Sequence, residues 1–277
     1  SEGNMAAKAL NVELYAIGTE VVYGLTLDTN THWLAQEVVR LGGDVRRVTK
    51  IHDELDVMIE CLRESADRGA DLVIATGGLG PTQDDVTATA LAQLTGSPLI
   101  EHPAVLDDYV RRRELSSRDE LSPNLIQMAT VPEDAETLLN SAGWAPGLKT
   151  SYNGSMIIAL AGPPREMKSL FKDHVAEYLA ALSPTKSASC RILVSVPAES
   201  RLAPYMDATM AEFPGVYVKA RIAERLREGW LAVDVLATGD GEMGANAMLD
   251  RVLEDFGVRL AADDHTYEPH PETEDPA

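Results

Sequence analysis

Leu72-Val73-Ile74-Ala75 is an unbroken apolar run that leads directly into Thr76-Gly77-Gly78-Leu79-Gly80-Pro81. A short continuous apolar run next to turn residues marks a strand buried on both faces, as in a parallel sheet covered by helices from both sides. Three glycines just beyond it let the backbone turn tightly and present N–H groups at the carboxyl end of that strand. This junction commits the chain to an α/β architecture.

The segments on either side agree. Residues 12–17 read as a strand ended by Gly18, and Asp28 or Asn30 can cap a helix carrying Trp33, Leu34, Val38 and Leu41, stopped by Gly42-Gly43. Residues 44–49 form a second short strand. Asp53 then stands at the N-cap position of a helix with Leu55, Met58, Ile59, Leu62 and Ala66 on one stripe, closed by Gly69. After the glycine loop, Val86, Ala90, Leu91 and Leu94 mark a helix ending at Gly96. This order predicts a doubly wound parallel sheet, whose ligands bind outside the carboxyl ends of the strands.

Residues 104–115 and a stretch opened by Pro123 read as further helices. Residues 148–152 and 155–160 flank Asn153-Gly154, a pair suited to a type I′ turn, so a hairpin makes the sheet mixed. Gly162-Pro163-Pro164 breaks the second hairpin strand, and a helix runs on to about Leu182. The polar stretch 183–189 reads as a linker. A strand (191–196), a helix (200–213), two strands (216–220 and 230–238) and a helix (242–256) then make a small α+β domain. The expected domains are 10–182 and 190–260. Residues 1–5 read as a non-native leader reaching a start at Met5, and the acidic, proline-rich tail 263–277 as disordered.

Composition narrows the function classes. Forty-four acidic against 24 basic residues give a formal net charge of −20, which disfavours a broad nucleic-acid interface, since that affinity comes from Lys and Arg neutralising phosphates. Cys61 and Cys190 stand far apart with no CxxC partner, so neither a disulfide scaffold nor a cysteine zinc site is expected. No haem or flavin is expected either. No apolar run is long enough to span a membrane, and a cytoplasmic location is the simplest expectation.

The glycine loop and the acids beside it carry the chemistry. Gly77, Gly78 and Gly80, followed by a helix N-terminus, suit an anion such as phosphate, although the segment is neither a Walker A sequence nor GxGxxG. Asp84 and Asp85 on its lip would repel that anion unless a divalent cation, Mg²⁺ or a relative of it, bridges them to the phosphate. Asp53, after the second strand, can join Asp85 on the same rim. For each there is a plainer alternative: Asp53 as a helix N-cap, Asp84 as a first-turn helix acid, and Gly18-Thr19-Glu20 as part of a solvated loop. Arg165 could meet a phosphate or lie free on the surface. Arg111-Arg112-Arg113 reads as a solvated helix face.

Together these segments resemble the molybdopterin-binding (MoaB/MogA-like) domain family, in the form found in competence/damage-inducible (CinA) proteins. The resemblance lies in Ala16-Ile17-Gly18-Thr19-Glu20, in Gly24 with Asp28-Thr29-Asn30, and in Thr76-Gly77-Gly78-Leu79-Gly80-Pro81-Thr82 with Asp84-Asp85 and Thr87. It continues through Ala145-Pro146-Gly147 and Ala161-Gly162-Pro163-Pro164-Arg165-Glu166-Met167, and covers residues 12–182. It implies a three-layer sandwich with a mainly parallel sheet, followed by a KH-like α+β module. It also implies a phosphate or pterin site formed by Gly18, Thr19, Glu20, Asn30, Thr76, Gly77, Gly78, Gly80, Gly162, Pro163 and Pro164. Asp53 and Asp85 would be catalytic, with Asp53, Asp84 and Asp85 around Mg²⁺.

In the competence/damage-inducible branch the implied activity is metal-dependent cleavage of a nucleotide pyrophosphate such as ADP-ribose. Molybdopterin adenylation, or ligand binding without turnover, are the alternatives. A homo-oligomer, dimer or trimer, is implied as well. The chain departs from the pattern in three places. It carries no nicotinamide mononucleotide amidohydrolase domain, so deamidation is not expected. Val21 replaces the usual Leu, and Pro123-Asn124-Leu125-Ile126-Gln127 lacks the basic residue that follows Asn in the family. RNA binding by the second module is disfavoured because Gly239-Asp240-Gly241-Glu242 is acidic where a GXXG clamp needs basic surroundings.

Overall fold

The computed structural model describes residues 10–222 and 227–271. Two compact units meet in sequence between Ser183 and Pro184. The first opens with β1 (Leu10–Ile17), α1 (Thr19–Val22), α2 (Asn30–Arg40), β2 (Gly43–Ile51), α3 (Leu55–Asp67) and β3 (Leu72–Thr76). It continues with α4 (Thr87–Thr95), β4 (Leu99–Glu101), α5 (Pro103–Arg113), α6 (Pro123–Met128), β5 (Thr130–Pro132) and β6 (Glu136–Leu138). β7 (Gly147–Tyr152), β8 (Ser155–Leu160), α7 (Pro164–Leu170), a π-helical turn at Phe171–Val175 and α8 (Ala176–Leu182) complete it.

Its six-stranded sheet has the order β2-β1-β3-β8-β7-β6. Strands β2, β1, β3 and β8 are parallel, and β7 runs antiparallel to both β8 and β6, so the sheet is mixed as the hairpin motif predicts. Tyr152 pairs with Ser155 across the turn, and both turn residues take positive φ, 46° at Asn153 and 86° at Gly154. That is the type I′ geometry which Asn-Gly favours because its twist matches the strands.

Side chains alternate across the central strands. Tyr15, Ile17, Val73, Ala75, Ile157 and Ala159 pack with Met58 and Leu62 of α3 and Ala90, Leu91 and Leu94 of α4. The intervening Leu14, Ala16, Leu72, Ile74, Ile158 and Leu160 point to the other face and are just as buried. On that side Trp33 of α2 meets Phe171 edge to face at 5.3 Å. Helices therefore cover both faces, giving three layers, and this explains the lack of polar alternation in Leu72–Thr76. α4 stops where Gly96 adopts the left-handed conformation at φ 72° and returns its N–H to Ala92 O.

One buried charge interrupts the core. Glu13, 2% exposed, accepts hydrogen bonds from Arg68 Nη2 at 2.7 Å and Ser65 Oγ at 2.7 Å, and Ser65 Oγ also lies 2.7 Å from Tyr15 Oη. Burial alone would raise the Glu13 carboxyl, but the Arg68 and Ser65 hydrogen bonds and the charges of Arg68 and Arg47 outweigh it and hold it below the usual glutamate range.

The second unit comprises β9 (Thr185–Val194), α9 (Glu199–Glu212), β10 (Tyr217–Arg221), β11 (Leu231–Asp240), α10 (Gly241–Ala261) and β12 (Tyr267–Pro269). Its antiparallel sheet runs β10-β11-β9-β12. Leu202 and Met206 of α9 and Leu249, Val252 and Phe256 of α10 share a core with Ile192, Val194, Val218, Val233 and Val235.

Two expectations are corrected here. The polar stretch 183–189 is not a linker: from Thr185 it is the first half of β9, paired with β11 in unbroken register from Thr185↔Asp240 to Val194↔Leu231. The second unit thus begins at Pro184 rather than at 190. Nor is the tail wholly unstructured, because Tyr267–Pro269 pairs with Ile192–Val194 of β9. The Tyr267 ring occupies the space above Gly257 of α10, where a Cβ would come within 2.9 Å of it. The single large apolar side chain of the tail thereby finds a packing site that composition does not reveal. Residues 1–5 and 272–277, also assigned from sequence, lie outside the described residues.

Candidate functional site

Parallel register brings the strand ends together. Ala16 pairs with Thr76, and Thr76 with Leu160, so the loops after β1, β3 and β8 open side by side at one edge of the sheet. Hydrogen bonds tie them to one another: Gly18 N–H to Ile51 O at 3.0 Å, Gly77 N–H to Leu160 O at 3.0 Å, and Thr87 N–H to Gly78 O at 3.0 Å. Thr87, at the start of α4, also donates its hydroxyl to Gly77 O at 2.9 Å.

Close approach explains the glycines. Gly77 sits at φ 114°, and a Cβ there would lie 2.2 Å from Ile17 O, a main-chain atom that cannot move aside. Gly78 sits at φ 67°, with Thr87 Oγ1 2.3 Å from the place of its missing Cβ. Gly80 has another use, since the Asp85 carboxylate fills the space beside it, 2.6 Å from where a Cβ would stand. Of the three glycines Gly77 spends its N–H on Leu160, whereas the N–H groups of Gly78 and Gly80 make no hydrogen bond among the described residues.

The acids are placed differently from a set of helix caps. Glu54, not Asp53, is the N-cap residue of α3. Asp53 Oδ2 instead accepts the Thr19 N–H at 2.8 Å, joining the loop after β2 to the first turn of α1. α4 begins only at Thr87 after Val86, so neither Asp84 nor Asp85 caps it. Asp85 Oδ2 accepts from Thr82 N–H at 2.8 Å and from the Thr82 hydroxyl at 2.6 Å, closing a turn at the lip of the loop.

These loops enclose a cavity of about 560 Å³. Of the residues expected at the site, Gly18, Glu20, Asp53, Gly77, Gly78, Gly80, Asp84, Asp85, Gly162 and Pro163 line it. Thr19, Asn30, Thr76 and Pro164 do not. Asn30 and Thr76 stitch the loops together: Asn30 Nδ2 donates to Thr76 Oγ1 at 3.0 Å and Gly162 O at 2.7 Å, and the Thr76 hydroxyl donates to Ala161 O at 2.8 Å. Arg165 is exposed and lies outside the lining.

Three functional candidates escape a reading of the sequence. Glu166 lines the cavity, and its Oε2 accepts from Nδ2 of the buried Asn140 at 2.7 Å. Trp144 lines it too, flanked edge to face by Tyr109 and covered by the guanidinium groups of Arg112 and Arg113, 4.1 and 4.7 Å from the ring centroid. The Arg111-Arg112-Arg113 run is therefore not merely a solvated face, because two of its members brace a cavity wall. Glu166 carried one signal, its place in the first helical turn after Gly162-Pro163-Pro164. Asn140 and Trp144, in a loop distant in sequence, carried none.

The charged side chains of the lining, Glu20, Asp53, Asp84, Asp85 and Glu166, are all acidic. Among the described residues no three His, Cys, Asp or Glu side chains cluster closely enough to hold a metal ion, so Asp53, Asp84 and Asp85 do not form one ligand set. The donors offered are carboxylate oxygens, with no thiolate or imidazole. That chemistry fits Mg²⁺, which binds through one or two carboxylates, ligand phosphates and water, and does not fit a softer metal.

A three-layer α/β domain with an acid-lined cleft at the carboxyl edge of its parallel strands is the class that fold and site define. Residues 13–181 match the family described as "Probable molybdopterin binding domain", and the chain belongs to that family. A protein of Metallosphaera sedula is 33% identical over 82% of this chain and 86% of its own length. A competence-damage inducible protein of Halothermothrix orenii is 36% identical over 60% of this chain, but over only 40% of its own length. Among solved structures, the CinA protein of Thermoplasma acidophilum matches with a TM-score of 0.57 at 30% identity, covering 62% of this chain and 98% of that one. No helix among the described residues is long and apolar enough to cross a membrane.

Proposed function

We propose that the first unit binds a nucleotide through its phosphates and cleaves its pyrophosphate bond in a Mg²⁺-dependent reaction, with ADP-ribose as the model substrate. One observation carries this reading: Gly78 and Gly80, whose N–H groups make no hydrogen bond among the described residues, line a cleft whose charged side chains are all carboxylates. A phosphate held there needs a cation to offset the acids, and Asp53 and Asp85, on the loops after β2 and β3 to either side of β1, are the residues to hold it. Bound Mg²⁺ would neutralise phosphate charge and make the phosphorus more open to attack by water. The chain's own part is to orient. Gly78 and Gly80 fix the phosphate, Thr19 and Thr82 fix the two carboxylates, and Leu79, Met128 and Trp144 keep one wall dry.

The test is incubation with ADP-ribose and Mg²⁺, followed by chromatography for AMP. Asp53→Asn is the informative variant, because an amide oxygen can still accept the Thr19 N–H while the charge is lost. It should fold normally and lose roughly a hundredfold or more in turnover. No AMP from the unmodified chain, or full activity in Asp53→Asn, would refute the proposal. The family description favours a second reading, adenylyl transfer to molybdopterin at the same cleft. ATP-dependent formation of adenylated molybdopterin, without AMP release from ADP-ribose, would select it.

A further inference from the structure

The cleft contains a carboxylate that metal binding does not require. Glu166 opens α7 after β8, whereas Asp53 follows β2, and those strands are three spacings apart in the sheet, roughly 14 Å. The buried Asn140, 3% exposed, holds Glu166 at the far end and is itself fixed by the chain around it. Its Oδ1 accepts the Ala142 N–H at 3.1 Å, and its Nδ2 donates to Ala145 O at 2.9 Å and to Glu166 Oε2 at 2.7 Å. Gly143 leaves the room the carboxylate needs, since a Cβ at that position would overlap Glu166 Oε2 at 1.8 Å. Glu166 Oε1 makes no hydrogen bond among the described residues, and no basic side chain lines the cavity to pair with it. Gly143, against which Glu166 packs, leads directly into Trp144, whose ring is braced, and Ala145, and both line the cavity wall together with the apolar Met128.

A fixed carboxylate among apolar groups accepts hydrogen bonds and cannot donate them. A flat heterocycle suits such a wall, and its edge facing Glu166 must carry N–H donors. We propose that Glu166, positioned by Asn140, is the specificity residue of this cleft and reads the exocyclic amino group of the ligand's base. The inference rests on the nucleotide reading above and deepens it. The preferred ligands carry an amino-bearing ring such as adenine, and a ring that turns a carbonyl oxygen toward Glu166 is rejected by acceptor against acceptor.

AMP and IMP differ at this point, one bearing a 6-amino and the other a 6-oxo group. Calorimetric titration with each, in the presence of Mg²⁺, tests the proposal without requiring turnover. The unmodified chain should bind AMP about ten- to a hundredfold more tightly than IMP, the range for a hydrogen bond to a charged group. Glu166→Gln keeps the shape and adds a donor, so the preference should shrink to within a fewfold or reverse, with IMP binding gained rather than both ligands lost. Glu166→Ala should weaken AMP alone. Equal binding of AMP and IMP, an unchanged ratio in Glu166→Gln, or no binding of either ligand would overturn it. AMP release from ADP-ribose without base discrimination would sink this inference and leave the proposed function intact. Discrimination without AMP release would do the reverse.

Discussion

Replacing Gly78 by Ala should damage the glycine loop by an amount that can be worked out and compared with a built-in control. Placing an L-residue at φ 67° costs roughly 1–2 kcal/mol, because its Cβ crowds the following carbonyl. The new Cβ also falls 2.3 Å from Thr87 Oγ1, in a residue only 1% exposed. Thr87 must rotate and give up its bond to Gly77 O, and a buried polar group left unpaired costs about 1–3 kcal/mol. The total is about 2–5 kcal/mol. Gly96 has nearly the same backbone, φ 72°, but nothing within 4 Å of its missing Cβ, so Gly96→Ala should cost only the backbone share. Urea titration of both variants reads the difference directly, provided the slope is unchanged. Adding Thr87→Ala to Gly78→Ala removes the obstructing oxygen, so the double variant should lose about 1 kcal/mol less than the two singles added together. Equal losses at Gly78 and Gly96, with an additive double variant, would refute the close-packing explanation of the loop.

Further outcomes concern the core and the second unit. Glu13 is held below the usual glutamate range in the folded chain, so its contribution to stability is complete above the unfolded value of about 4.3 and is lost as pH falls through the lower folded value. The urea midpoint should drop over that acid window, and Glu13→Gln should flatten the drop while costing about 3 kcal/mol near neutrality. That is the low end for a broken buried pair, because the Arg68 side chain remains 30% exposed. Lys186 lies within β9, paired with Gly239, so limited trypsin digestion of the native chain should spare the bond after Lys186; rapid cleavage there would show the stretch to be a linker after all.

Much of the first unit could be read before any coordinates. The continuous apolar run of β3, the stripes of α3 and α4 and the Asn-Gly hairpin each encode their structure within a few residues, through burial period or turn chemistry. The first half of β9 was missed, although its second half was read as a strand, because Thr-Lys-Ser-Ala-Ser has no local strand signal. Its state is imposed by pairing with β11, and strand preference depends more on neighbours than on composition. The helix-cap reading of Asp53 failed for a related reason. A carboxylate beside a helix start can accept from any N–H within reach, and Asp53 accepts from Thr19 rather than from the first turn of α3.

The site divides along the same line. Local sequence determined that a glycine loop with acids would emerge from a buried strand, because φ, chain reach and charge are properties of adjacent residues. Which of those residues face the cleft was decided by the tertiary structure. Asn30 and Thr76 are consumed in tying loops together, whereas Glu166, Asn140 and Trp144 are brought to the cleft wall from separate stretches of chain. Such placement follows from strand order and from the way buried polar groups find partners, and both arise from contacts between residues far apart along the chain.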